Sequence, residues 1–124
     1  MSLILLVEDN ETNAEGLMRL LEKRGFRVTL STTGEDGIKA YKELKPSLVL
    51  MDVSLPLMDG FEATLAIREY EQENSLPVIP VIAFTAHAMV ADKMRAEEVG
   101  CTDFESKPVA INQLIKKINK YLTD

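Results

Sequence analysis

Five side chains of this 124-residue chain share one kind of position: each stands where a strand-like run stops. Glu8 and Asp9 follow Leu3 to Val7, Asp52 follows Leu48 to Met51, Thr85 follows Val81 to Phe84, and Lys107 follows Asp103 to Ser106. If the first and third runs are neighbouring strands, roughly 4.8 Å apart, Glu8, Asp9 and Asp52 converge. Three carboxylates in one pocket raise one another's pKa unless a cation sits among them. Their hard oxygens suit Mg²⁺, an ion that keeps waters and needs only one or two carboxylates. A carboxylate can also act as a nucleophile and hold a phosphoryl group as an acyl phosphate; alignment and charge neutralisation then do most of the work. Mg²⁺ would cover one equatorial oxygen, Lys107 a second and the Thr85 hydroxyl a third. Singly, each residue has a plainer reading: a strand-terminal acid caps a helix or turn, Thr85 is a loop hydroxyl, and Lys107 is a surface lysine. Their joint placement is the signal.

The elements that must position these residues are legible from periodicity. Leu3 to Val7 is a continuous apolar run, followed by Ala14, Leu17, Met18 and Leu21 on one helical face, with Asn10 as cap and Gly25 as stop. Phe26, Val28 and Leu30 alternate with Arg27 and Thr29 as a half-exposed strand; Ile38, Tyr41 and Leu44 mark a second helix stopped by Pro46. Leu48 to Met51 reads as a strand buried on both faces. Ala63, Ala66, Ile67 and Tyr70 carry a third helix, the loop Glu73 to Pro77 follows it, and Val81 to Phe84 is the fourth strand. Met89 to Val99 is helical in composition with a weak apolar stripe, Asp103 to Ser106 is a short fifth strand, and Ile111, Leu114, Ile115, Ile118 and Leu122 line a last helix. Five strands alternating with five helices imply right-handed crossovers and an α/β doubly wound parallel sheet. Ligands of such sheets gather beyond the carboxyl ends of the strands, where strand order reverses.

Composition bounds the function classes. The 46% hydrophobic content over 124 residues fits one domain, 1–124, with no output module. No apolar stretch approaches a membrane span, so a cytoplasmic address is the default. Twenty acids against fourteen bases leave a net charge of −6, which opposes general attraction to nucleic acid. Lys116, Lys117 and Lys120 read as a solvated helix face, and the lone Cys101 excludes an internal disulfide and a cysteine metal cluster.

The stretches "LILLVEDN", "LVLMDVSLPLMDG", "VIAFTA" and "SKP", in this order and spacing, make the chain resemble a response regulator receiver domain over essentially its full length. "VEDNETN" and "AFTAHAM" are similar to receivers of hybrid histidine kinases and to some stand-alone regulators. The resemblance implies a flavodoxin-like sheet of strand order 2-1-3-4-5. It also implies that Asp52 accepts a phosphoryl group from a histidine kinase or histidine phosphotransfer protein, with Glu8, Asp9, Asp52 and the Ser54 backbone carbonyl holding Mg²⁺. Thr85 would swing toward the phosphoryl group, Phe104 would follow as the switch aromatic, Lys107 would pair with the phosphate, and Lys107-Pro108 would be cis. Output would pass to a downstream protein. Phe104 has no hydroxyl, so its swing must be driven by contact rather than by a new hydrogen bond; His87 and Ser54 flank the pocket mouth.

Two other classes fit less well. An aspartate-nucleophile small-molecule phosphatase needs a second acid two residues after the nucleophile, where Ser54 stands. A doubly wound nucleotide or flavin binder needs a glycine- or hydroxyl-rich phosphate loop after the first strand, where "EDNETN" is acidic. On the first helix, Gly16 points nearly opposite the apolar face, with Asn13 beside it and Leu20 at the flank. A glycine there costs roughly 1 kcal/mol against alanine. The functional reading is that a phosphodonor helix approaches over Gly16, with Asn13, Leu20, Pro108 and Val109 completing the contact; the plainer one is a neutral surface position.

Overall fold

The computed structural model describes residues 2–86 and 90–122. The chain alternates strictly: β1 (Leu3–Val7), α1 (Glu11–Lys23), β2 (Arg27–Ser31), α2 (Gly34–Leu44), β3 (Leu48–Asp52), α3 (Gly60–Glu73), β4 (Val81–Thr85), α4 (Val90–Val99), β5 (Asp103–Ser106) and α5 (Ile111–Leu122). The strands form one parallel sheet in the order β2-β1-β3-β4-β5, the doubly wound order expected from the sequence. Strand order reverses at β1, so the carboxyl ends of β1 and β3 lie side by side, Val7 opposite Met51.

Alternation along the strands divides the core. Ile4, Leu6, Leu48, Leu50, Ile82 and Phe84 pack with Ala14 and Leu21 of α1 and Leu114, Ile115 and Ile118 of α5. Leu5, Val7, Val49, Met51 and Val81 pack on the other face with Tyr41 of α2 and Ala63 and Ile67 of α3. Both faces being covered, the inner strands are apolar without interruption. A third, smaller cluster joins Ala83 to Ala96 and Val99 of α4, with Val53 and Phe61. Ala96 and Val99 are the only buried residues of α4, the counterpart of its weak stripe.

Local chemistry sets the ends. The Asn10 side chain accepts from the Asn13 amide at 3.0 Å, capping α1. At the other end Gly25, at φ +92°, lets its amide reach Glu22 O (3.0 Å) and the Phe26 amide reach Leu21 O (3.2 Å). These two bonds close a Schellman motif. Phe26 therefore finishes the helix, and β2 begins one residue later than alternation suggested. Asp59 and Glu62 form a reciprocal capping box, at 2.9 and 3.1 Å, that opens α3.

The opposite end of the sheet is tied by a buried polar network. Arg68 of α3 donates to the Gly100 carbonyl (2.8 Å) and to Glu71 (2.7 Å). Buried Glu71 also accepts from the Tyr41 hydroxyl (3.0 Å) and the Ile79 amide (3.1 Å). One expectation fails at α5. Lys116 and Lys120 are exposed, but Lys117 is not a solvated lysine: its ammonium lies 2.6 Å from buried Glu105 and 3.4 Å from Asp103. Two carboxylates on the adjoining edge strand outweigh hydration of a single ammonium there.

Candidate functional site

The site stands on the carboxyl ends of β1, β3, β4 and β5. Backbone bonds across the sheet hold these ends together. The Glu8 amide donates to Ser31 O (3.0 Å), the Val53 amide to Phe84 O (3.0 Å) and the Lys107 amide to Thr85 O (2.7 Å). Gly60 opens α3 directly beneath β3. A Cβ at that position would fall against the Asp52 carbonyl oxygen and within 2.7 Å of Val53 Cα, so only glycine lets the helix come this close to the aspartate.

Glu8, Asp9 and Asp52 each offer a carboxylate oxygen within 4.8 Å of the others. Asp52 and Glu8 are buried, and Asp9 is exposed at the rim. Asp52 is fixed from two sides: Oδ1 accepts from the Ser54 amide at 3.0 Å, and Oδ2 lies 3.0 Å from Lys107 Nζ. That ammonium also reaches Glu8 Oε1 at 3.6 Å. Burial, then the hydrogen bond and negative charge of Asp52, push the Glu8 carboxyl up to about 7, against the lowering effects of the Asn10 amide and Lys107. One ammonium thus leaves the carboxylate cluster short of positive charge. An all-oxygen donor set in this condition fits a hard divalent cation.

Thr85 and Phe104 take up definite positions. Thr85 is buried at the end of β4, and its hydroxyl donates to Asp92 of α4 at 3.2 Å. Phe104 pairs with Ala83 across the sheet and is half-buried against the α4 cluster. Lys107-Pro108 is cis. His87 and Met89 lie outside the described residues.

Beside the acids a groove of about 640 Å³ runs between α1 and the β5–α5 loop. Asn13, Gly16, Leu20, Pro108 and Val109 all line it, together with Glu8 and Lys107. A Cβ on Gly16 would meet nothing within 4 Å. The sequence reading missed Asp92 and Lys117. The weak stripe of α4 gave no orientation for Asp92, and Lys117 had two other lysines in its helix to hide among.

Comparison with known proteins agrees with this geometry. The family model "Response regulator receiver domain" matches residues 4–119. The chain is 36% identical over 121 residues to the polar-differentiation response regulator DivK of Brucella anthropi, covering 98% of this chain and 96% of that protein. It is 41% identical over 119 residues to the hybrid signal transduction histidine kinase M of Dictyostelium discoideum, covering 94% of this chain and only 5% of the kinase. Among solved structures it resembles the receiver domain of Ssk1 from Saccharomyces cerevisiae, crystallised with the histidine phosphotransfer protein Ypd1. That match has TM-score 0.91 and 33% identity, covering 97% of this chain and 88% of the other. It also resembles the receiver of the sensor histidine kinase PA1611 from Pseudomonas aeruginosa PAO1, which holds a magnesium ion in its active-site cleft. There the TM-score is 0.87 at 32% identity, over 99% and 98% of the two chains.

Proposed function

The chain belongs to the response regulator receiver family, and from that premise we propose that it takes a phosphoryl group from a partner phosphohistidine onto Asp52 and passes the signal on by protein contact. The observation that carries the reading is the setting of Asp52. It is a buried carboxylate held between the Ser54 amide and Lys107, with Glu8 and Asp9 within 4.8 Å. Three converging carboxylates around one ammonium leave room for a cation and a phosphoryl group to balance the charge. The chemistry is a signalling step on the protein itself, in keeping with receivers, rather than general turnover of a substrate.

In the transfer, an Asp52 oxygen attacks phosphorus and the P–N bond to the donor imidazole breaks, its electron pair returning to the ring nitrogen. The Ser54 amide holds the carboxylate plane while this happens. Lys107, already 3.0 Å from Oδ2, neutralises charge on a phosphoryl oxygen as it develops. Thr85 supplies a hydroxyl to a further oxygen once it leaves Asp92. Glu8, Asp9, Asp52 and the Ser54 carbonyl would hold Mg²⁺, which when bound shields the incoming phosphoryl charge. Phe104, beside α4, is the aromatic that responds.

The groove lined by Asn13, Gly16, Leu20, Pro108 and Val109 is the docking face for a histidine kinase or histidine phosphotransfer protein; the likeness to a receiver crystallised with such a protein supports this. Residues 1–124 act as a single receiver domain in the cytoplasm, without direct contact to nucleic acid or membrane. Among the described residues no helix is long and apolar enough to cross a membrane.

The test is phosphorylation read by intact mass. With Mg²⁺, acetyl phosphate should add one phosphoryl group to the wild type and none to Asp52→Asn, and a chelator should stop the reaction. Gly16→Arg should keep labelling by acetyl phosphate and lose transfer from a phosphohistidine protein, because the small donor needs no docking face. Undiminished labelling of Asp52→Asn would refute the assignment; full transfer to Gly16→Arg would move the docking face elsewhere.

A further inference from the structure

The Thr85 hydroxyl donates to Asp92 Oδ2 at 3.2 Å. A threonine hydroxyl has one proton to give, and ionised carboxylate and phosphoryl oxygens are both acceptors. A Thr85 proton given to Asp92 is therefore not available to an anion on Asp52. Asp92 lies in the first turn of α4, whose buried residues, Ala96 and Val99, are both in its second half. The first turn has no buried apolar side chain, and the hydrogen bond between Asp92 and Thr85 ties it to the sheet.

Resting on the phosphoacceptor reading of Asp52, we infer that Asp92 is a positioning residue of the switch: it is the competing acceptor that holds the Thr85 proton in the unmodified protein. Its loss of that proton is what loosens the first turn of α4 when Asp52 is phosphorylated. Two consequences follow. The strength of Asp92 as an acceptor sets how readily Thr85 turns to the phosphoryl group. The first turn of α4 also responds directly to Thr85, without waiting for Phe104.

Beryllofluoride, a phosphoryl mimic, would be titrated with Mg²⁺ onto wild type, Asp92→Ala, Asp92→Asn, Thr85→Ala and the double variant Thr85→Ala with Asp92→Ala, following backbone amide shifts. Asp92→Ala should bind about fivefold more tightly than wild type, since one competing hydrogen bond is removed. Asp92→Asn, a weaker acceptor of nearly the same shape, should fall between them, and it carries the test if alanine disturbs α4. In the Thr85→Ala background the alanine substitution should change affinity by less than about 1.5-fold, because the coupling runs through the hydroxyl. Unchanged or weaker binding by both Asp92 variants, or the same gain with and without Thr85, would overturn the inference while leaving Asp52 as phosphoacceptor. Failure of wild type to bind beryllofluoride would overturn both.

Discussion

Lys117 Nζ lies 2.7 Å from the carbonyl oxygen of Phe104. The same residue's amide is taken by the Asp103 side chain at 2.7 Å. On β5, an edge strand, two backbone groups next to solvent are therefore satisfied by side chains. Lys117→Met should cost about 2 kcal/mol, measured by urea unfolding, because buried Glu105 loses the ammonium 2.6 Å away. Lys116→Met, on an exposed lysine of the same helix, should change stability by less than about 0.5 kcal/mol.

Acid should open this clasp. Burial alone would raise the Asp103 carboxyl, but the Tyr121 hydroxyl at 2.6 Å, the Phe104 amide and Lys117 together hold it below the usual 3.8. A lowered folded-state pKa gives stability that is present above the unfolded value and lost as pH falls through the folded one. Tyr121→Phe removes the hydroxyl, the largest lowering influence. Its acid-unfolding midpoint, followed by circular dichroism, should move to higher pH than that of the wild type.

Glu8 has the opposite sign. With its carboxyl raised from 4.5 to about 7, the native state favours the protonated form. The stability this contributes is complete below about 4.5 and is lost as pH rises through about 7. In chelator, wild-type stability should fall across that window, while Glu8→Gln should stay nearly level and exceed wild type by on the order of 2 kcal/mol at pH 8. Mg²⁺ should stabilise the wild type at pH 8 and do little for the variant.

Leu57 is 95% exposed and sits at φ 64° in the loop between β3 and α3. A leucine pays for the left-handed conformation, and no buried contact is lost by shortening it. Leu57→Gly should raise stability by about 0.5–1 kcal/mol, the relief of strain exceeding the greater chain entropy of glycine. A loss on urea denaturation would show that Leu57 holds the loop.

The strand ends were readable because burial on both faces forces an unbroken apolar run, and a charged residue that ends such a run stands out. That principle placed Glu8, Asp9 and Asp52 at the ends of β1 and β3 and Thr85 at the matching end of β4, whereas Lys107 follows a short polar strand and stood out only through the stretch "SKP"; the helix face of α1 put Gly16 on the exposed side. It could not find the bond from Thr85 to Asp92, since α4 buries too little to orient its polar residues. Nor could it find Lys117 of α5 paired to Glu105 of β5, or Glu71 joined to Tyr41 thirty residues away, because partners so far apart leave no periodic trace. Phe26 was misplaced by one residue because its apolar side chain suits a strand while its amide completes a helix.

The network of Arg68, Glu71 and Tyr41 adds side-chain anchors to the end of the sheet away from the acids. Glu71 fixes the amide that leads into β4, and Arg68 grips the turn that leads into β5, both at the sheet edge away from the acids. If Thr85 and Phe104 move as proposed, these bonds would resist a tilt of the whole strand. As in a cantilever, the movement would then be confined to α4 and the strand tips. Amide hydrogen exchange should map this asymmetry, with the Ile79 and Val81 amides slowest and the first turn of α4 fastest among the helices.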